Sequence, residues 1–183
     1  MIFNKRSGLE GKHALLSPSY YHWLNYDEQK LNARYHSVMA ARRGSDLHEL
    51  AREAIRLRVK LSKSNQALST YVNDAIGYNM TCEQVLYYSD NCFGTADAIS
   101  FRRNKLRIHD LKTGISHVSI KQLEIYAALF CLEYGFDPAD IEIELRLYLR
   151  DEVQIFEPNP ETIYIIMETI IEFDKYLETI KED

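Results

Sequence analysis

Cysteine, proline and glycine are all scarce in this chain: 3, 4 and 7 of 183 residues. The three cysteines, Cys82, Cys92 and Cys131, share no CxxC spacing, which makes a poor disulfide framework and a poor metal cage. Reduced, mostly buried thiols are expected instead. No Pro-, Gly- or Ser-rich linker, repeat or low-complexity stretch breaks the sequence, so a single domain over residues 1–183 is expected. No apolar run approaches the ~20 residues that a membrane span needs. The first residues, with Lys5, Arg6, Glu10 and Lys12, lack the apolar centre of a secretory signal, and a cytoplasmic protein without membrane contact is expected.

What is present is an ordinary globular mixture, 46% hydrophobic and 27% charged, with a net charge of −5. The charge is unevenly spread. Residues 1–63 hold 12 Lys/Arg against 6 Asp/Glu, whereas residues 64–183 hold 10 against 21. A basic first third is either an electrostatic footprint for nucleic acid or a solvated helix face. Tyr20, Tyr21 and Trp23 beside it are candidate base-stacking groups, with helix packing as the alternative.

The periodicity predicts helices first, over about 15–80. Ser17-Pro18 reads as an N-cap followed by proline at the first helical position. Gly44 or Ser45 reads as the opening of a second helix, with Leu47, Leu50, Ala51, Ala54, Leu57 and Leu61 as its apolar stripe. A third helix is expected over about 66–76. Residues 82–88, 93–101 and 105–112 then read as strands, 119–134 as a buried helix, and 141–149 and 152–156 as further strands. Asn159-Pro160 opens a closing acidic helix over about 160–181. That order describes an α/β (α+β) fold, a mixed sheet with helices packed on it.

The most informative segment lies between Phe93 and Lys112. It reads as a hairpin turning at Arg103-Asn104, which sets Phe101 opposite Leu106 and Ile99 opposite Ile108. The same register brings Asp97 opposite Asp110, and then Thr95 opposite Lys112. Opposed carboxylates repel at ~5 Å, so the pair calls for a shared proton or a divalent cation. Mg²⁺ takes carboxylate oxygens at ~2.1 Å and keeps waters for chemistry. Lys112, two residues past Asp110, shares its face and offers an ammonium to a phosphate or a nucleophile. A structural Asp–Asp–Lys ion network is the alternative.

These residues also resemble a known family. Gly94-Thr95-Ala96-Asp97-Ala98-Ile99, then Ile108-His109-Asp110-Leu111-Lys112-Thr113-Gly114, then Gln122-Leu123-Glu124-Ile125-Tyr126-Ala127, look like the signature of RecB-like PD-(D/E)XK nucleases. Gly44-Ser45-Asp46-Leu47-His48 and Leu16-Ser17-Pro18-Ser19 resemble that group's upstream motifs. The resemblance covers about residues 15–130. It implies a restriction-endonuclease-like core and a DNA nuclease, an exonuclease of phage type in recombination or end processing. It implies that His48, Asp97, Asp110 and the Leu111 carbonyl bind Mg²⁺ or Mn²⁺, with Lys112 as the catalytic lysine. Gln122 and Tyr126 would buttress the site and touch the DNA strand. Read on their own, His48 is a helix-edge core residue, and Gln122 and Tyr126 are the polar rim of a buried helix.

Some members of the group carry four cysteines around an iron–sulfur cluster, three of them near the C-terminus. No cysteine follows Cys131 here, so no such cluster is expected. Nor is there a Walker A sequence to indicate a fused motor. An endonuclease, and a non-catalytic protein that binds DNA ends or a partner, are the alternatives. DNA is the expected partner, with Arg42 and Arg43 as candidate contacts just ahead of the His48 helix, where its dipole favours phosphate. A recombination or replication partner protein and a homo-oligomer are further expectations. His109, on the other face of its strand, and His117 receive no role.

Overall fold

The alternating stretches become strands. The computed structural model describes residues 14–62, 66–113 and 119–181. In it β1 (Thr81–Ser89), β2 (Cys92–Arg102), β3 (Lys105–Leu111), β4 (Glu142–Tyr148) and β5 (Val153–Phe156) form one sheet in that order. β3 and β4 are parallel and the other neighbours antiparallel, so the chain is α/β with a mixed sheet flanked by helices. Each strand end falls within one residue of its expected place. At the β2–β3 turn Arg103 and Asn104 have φ of 51° and 61°. Two successive left-handed residues between the Arg102↔Lys105 pair are the two-residue turn that matches the twist of a hairpin.

The helices cover both faces. α3 (Lys121–Tyr134) buries Leu123, Ala127 and Ala128 against Leu106, Ile108 and Leu145. α4 (Pro160–Lys181) covers α3 through Ile163, with Ile166, Met167 and Ile170 partly buried. A helix between a sheet and another helix must be apolar on most of its surface, as the sequence of α3 is. The Asn159 side chain accepts the Glu161 amide at 3.0 Å, so the expected cap of α4 forms. On the other face α2 (Ala67–Gly77) packs Tyr71, Val72 and Ala75 against Ala98, Leu111 and Tyr148. The three cysteines are free; Cys131 is buried, Cys82 and Cys92 only partly. No described helix is long and apolar enough to cross a membrane.

The N-terminal reading needs correction. Pro18–Asn25 is a 3₁₀ helix, and Ser17 makes no side-chain cap; its carbonyl instead accepts the Trp23 indole at 3.0 Å. α1 runs unbroken from Glu28 to Arg56, so Gly44 and Ser45 open nothing. Residues 28–43 are rich in good helix formers, and one glycine costs only about 1 kcal/mol. Ser45 Oγ bonds back to the Ala41 carbonyl at 3.3 Å, inside the helix. The chain divides within α1 into units of residues 1–45 and 46–183. In the second unit α1 is buried through Ala51, Ala54 and Ile55, whereas Leu47, Leu50 and Leu57 are exposed and α1 stops before Leu61. The Tyr20 side chain and His117 lie outside the described residues; Tyr21 is exposed.

On the α2 face of β3, His109 is fully buried with Nδ1 3.1 Å from the Tyr148 hydroxyl. That hydroxyl donates to Asp74 Oδ2 at 2.8 Å, so it accepts from Nδ1–H, and His109 Nε2 is left without a hydrogen-bond partner among the described residues. Burial, with the Arg146 charge second, pushes the imidazole pKa down to about 3 from 6.5. The unfolded chain therefore takes up a proton below pH 6.5 that the folded chain refuses, and stability is lost as pH falls. His109→Leu should flatten the decline in unfolding free energy between pH 7 and pH 5, measured by urea titration. An unchanged slope would mean that His109 is not held neutral.

Candidate active site

The β2–β3 ladder stops one step before the carboxylates. Ala98↔His109 is its last backbone pair, and Asp97 and Asp110 are the next residues on each strand. In place of a ladder bond, Asp97 Oδ2 accepts the Leu111 amide at 3.1 Å. The expected Thr95–Lys112 pair does not form: Thr95 pairs with Val85 of β1, and the Lys112 amide donates to the Tyr148 carbonyl at 3.0 Å. The ladder opens on the other side too. Backbone pairing passes from Cys82↔Ala98 to Gln84↔Ala96, and Glu83, between them and across from Asp97, has φ of 54°. A left-handed glutamate costs roughly 1–2 kcal/mol. Asp97 is therefore released from both neighbouring strands, which leaves its side chain free to serve the site.

Helix α1 approaches at this point because Ala51, Ala54 and Ile55 share a core with Ala98 and Leu111, the immediate neighbours of Asp97 and Asp110. His48 lies one turn before Ala51 and so on the same side of the helix. Its Nδ1 is 3.5 Å from Asp97 Oδ2. From β3, the Lys112 ammonium lies 2.9 Å from Asp110 Oδ2 and 3.1 Å from Oδ1. It also donates to Gln122 Oε1 at 2.9 Å. Gln122 donates to the Tyr126 hydroxyl at 3.3 Å, and that hydroxyl donates to the Thr95 carbonyl at 2.7 Å. A continuous polar path thus runs from Asp110 through α3 back to β2.

The sequence signal for Gly94 becomes physical here. A Cβ on Gly94 would stand 2.9 Å from Tyr126 Cε1, so the glycine makes room for the ring. Glu83, Gly94 and the Thr95 carbonyl are further elements of the site. Only the Gly-Thr-Ala-Asp spelling hinted at Gly94, and the left-handed Glu83 has no signature in the sequence.

Electrostatically the site is short of positive charge. Burial first, and the Asp110 charge second, hold the Asp97 carboxyl above its ordinary range; His48, the Leu111 amide and Lys112 oppose them. The phenol of Tyr71, buried nearby, is driven strongly upward by burial and then by Asp97. Asp110 Oδ2 is buried and, although close to Lys112, receives no well-directed hydrogen bond. A divalent cation suits both groups, because Mg²⁺ is commonly held by one or two carboxylates and completes its shell with water. Asp97 and Asp110 fit that need. Among the described residues, though, no three of His, Cys, Asp or Glu converge as a cage, so the fit rests on the carboxylate pair.

Arg42 and Arg43 are exposed residues inside α1, in the first unit, well past the start of that helix at Glu28, so its N-terminal dipole does not act at them. Leu111 is buried at the end of β3, and Gly114 of the expected motif lies outside the described residues.

A raised Asp97 pKa means that the ionised carboxylate opposes folding above that pKa, and that the penalty fades as pH falls through it. Asp97→Asn should accordingly raise the metal-free Tm at pH 7, with the gain shrinking as pH falls through the carboxylate range. A lower Tm at pH 7 would contradict the burial of two like charges. Gly94→Ala should displace Tyr126 and destabilise by about 1–3 kcal/mol, the usual cost of overpacking. Unfolding at wild-type denaturant concentrations would show that the ring is not confined.

No family model, curated protein or solved structure matches this chain.

Proposed function

We propose that the chain is a Mg²⁺- or Mn²⁺-dependent deoxyribonuclease of the PD-(D/E)XK type, built on a restriction-endonuclease-like core. The observation that carries this reading is one cluster gathered from four distant segments: His48, Asp97, Asp110 with Lys112, and Gln122 with Tyr126. A cation held by Asp97 and Asp110, beside His48 and the Leu111 carbonyl, would supply Lewis-acid charge and a more acidic water at the phosphodiester. Lys112 is the group placed to meet charge developing on a phosphate oxygen or to orient the nucleophile. Gln122 and Tyr126 are positioning residues: their hydrogen bonds aim the ammonium and tie α3 to β2. Exonuclease action in recombination or DNA-end processing, with a partner protein or a second copy, follows from the family resemblance alone.

A non-catalytic DNA-end or partner-binding protein is the second reading. One observation favours it, the lack of a three-residue cage among the described residues. Against it stands the presence together of His48, Asp97, Asp110 and Lys112, a full set that a metal-free binding module has no chemical need for.

End-labelled linear and circular DNA, incubated with Mg²⁺, Mn²⁺ or EDTA, separates these readings. Cleavage is expected with either metal and not with EDTA, and attack on circles would identify an endonuclease. Asp97→Ala, Asp110→Ala and Lys112→Ala should each slow cleavage by at least about 10²-fold with the circular dichroism unchanged. Wild-type rates in any of them would reject the assignment. Arg42→Glu/Arg43→Glu should weaken DNA binding and flatten its salt dependence through charge alone; an unchanged salt slope would remove these arginines from the interface.

A further inference from the structure

The opposite end of β3 carries a second constellation, on the opposite face of the sheet. Asp110 shares the α3 face with Leu106 and Ile108, whereas Lys105, Arg107 and His109 alternate onto the α2 face. There a cleft of about 410 Å³ opens beside the β2–β3 turn, lined by Tyr78, Arg102, Arg103, Lys105, Arg107 and Glu142. Its size falls within the ~300–1,000 Å³ of ligand pockets. Four cations and one carboxylate line it, in a chain whose net charge is −5.

The nearby acids do not neutralise it. Lys105 Nζ reaches Glu142 at 3.4 Å and Glu144 at 3.0 Å. The same Glu144 carboxylate also meets Arg107 at 3.3 Å and Arg146 at 2.9 Å, and Arg146 reaches Asp74 at 3.0 Å as well, so with Arg102 and Arg103 five cations stand against three carboxylates. Arg107 Nε is buried and lacks a well-directed hydrogen bond. Its guanidinium lies 4.5 Å from the centre of the Tyr78 ring, which holds it in place. Arg102 and Arg103 are exposed, and their side chains have no ion pair or hydrogen bond among the described residues. Arg103 also occupies a left-handed turn position where glycine, asparagine or aspartate is usual.

We propose that this cleft binds a phosphate group, carried by a nucleotide or by the end of a nucleic-acid strand, at a site separate from Asp97 and Asp110. Guanidinium forks match phosphate oxygens two at a time, and a surplus of two positive charges suits a dianion better than a carboxylate. The binding draws on none of the residues of the proposed nuclease centre and does not depend on that reading.

Calorimetry on the full chain in EDTA at low salt tests this, with inorganic phosphate, deoxyadenosine 5′-monophosphate and a 5′-phosphorylated oligothymidylate as the three probes. Saturable binding is expected. Arg103→Asn keeps a residue that tolerates the turn and should weaken binding about tenfold, and Arg102→Ala/Arg103→Asn about a hundredfold. Arg103→Lys, which keeps the charge but loses the fork, should bind with an affinity between those of the wild type and Arg103→Asn. An oligonucleotide held more tightly than the two small probes identifies a strand end as the source, and equal affinities identify a free phosphate or monoester. Asp110→Ala should leave the affinities for inorganic phosphate and the monophosphate unchanged, so loss of cleavage and loss of this binding are separate results. No saturable binding by any probe, or wild-type affinity in the double variant, would overturn the proposal.

Discussion

The turn at Arg103-Asn104 fixes the register of β2 against β3, and the site inherits its geometry from that register. Two consecutive left-handed residues permit a two-residue connection, and the connection leaves Ile99 facing Ile108 on the buried side. A slip of one residue would move Leu106, Ile108 and Asp110 to the other face of the sheet. The apolar pairs oppose such a slip because both lie in the core beneath α3. Hydrophobic packing near the turn thereby brings two carboxylates together at the far end, where no packing would favour them.

What happens at that end is a competition between backbone pairing and side-chain electrostatics. The ladder is given up at Asp97 on both of its neighbours, and one lost backbone bond is replaced by the Leu111 amide on a carboxylate oxygen. Asp110 is left buried and Asp97 partly buried with a single lysine close to the pair, and the Asp97 pKa rises in response. Helix α1 supplies His48 to the same place through contacts that involve no charge at all, Ala51 and Ala54 against Ala98 and Leu111. The polar centre is thus assembled by apolar surfaces on either side of it.

The strands and the hairpin were legible because their signals are local: alternation of polarity, and an Asn in a turn. Gln122 and Tyr126 were legible as one helix face, and the contacts with Lys112 and Thr95 join that face to both strands. The start of α1 was not legible, since Gly44 and Ser45 look like punctuation but the flanking residues outweigh them. The buried side of α1 was legible only at Ala51 and Ala54; Ile55 is buried with them, whereas the larger Leu47 and Leu50 are exposed. The opening of the ladder at Glu83 and Asp97 is a balance of forces between three strands, which no single stretch of sequence spells out. The basic cleft escaped notice for a similar reason. Arg102, Arg103, Lys105 and Arg107 stand in a strand pair, and only the folded sheet shows how little negative charge surrounds them.

The central claim is that Asp97 and Asp110 form a pair that a divalent cation completes. Mn²⁺ binding followed by electron paramagnetic resonance tests it without DNA and without any assay of cleavage. The expected result is saturable binding to the wild-type chain that disappears in Asp110→Asn, while Lys112→Ala, which removes a competing cation, binds at least as tightly. Equal Mn²⁺ binding by the wild type and Asp110→Asn, or none by either, would leave the two carboxylates and Lys112 as a structural ion network.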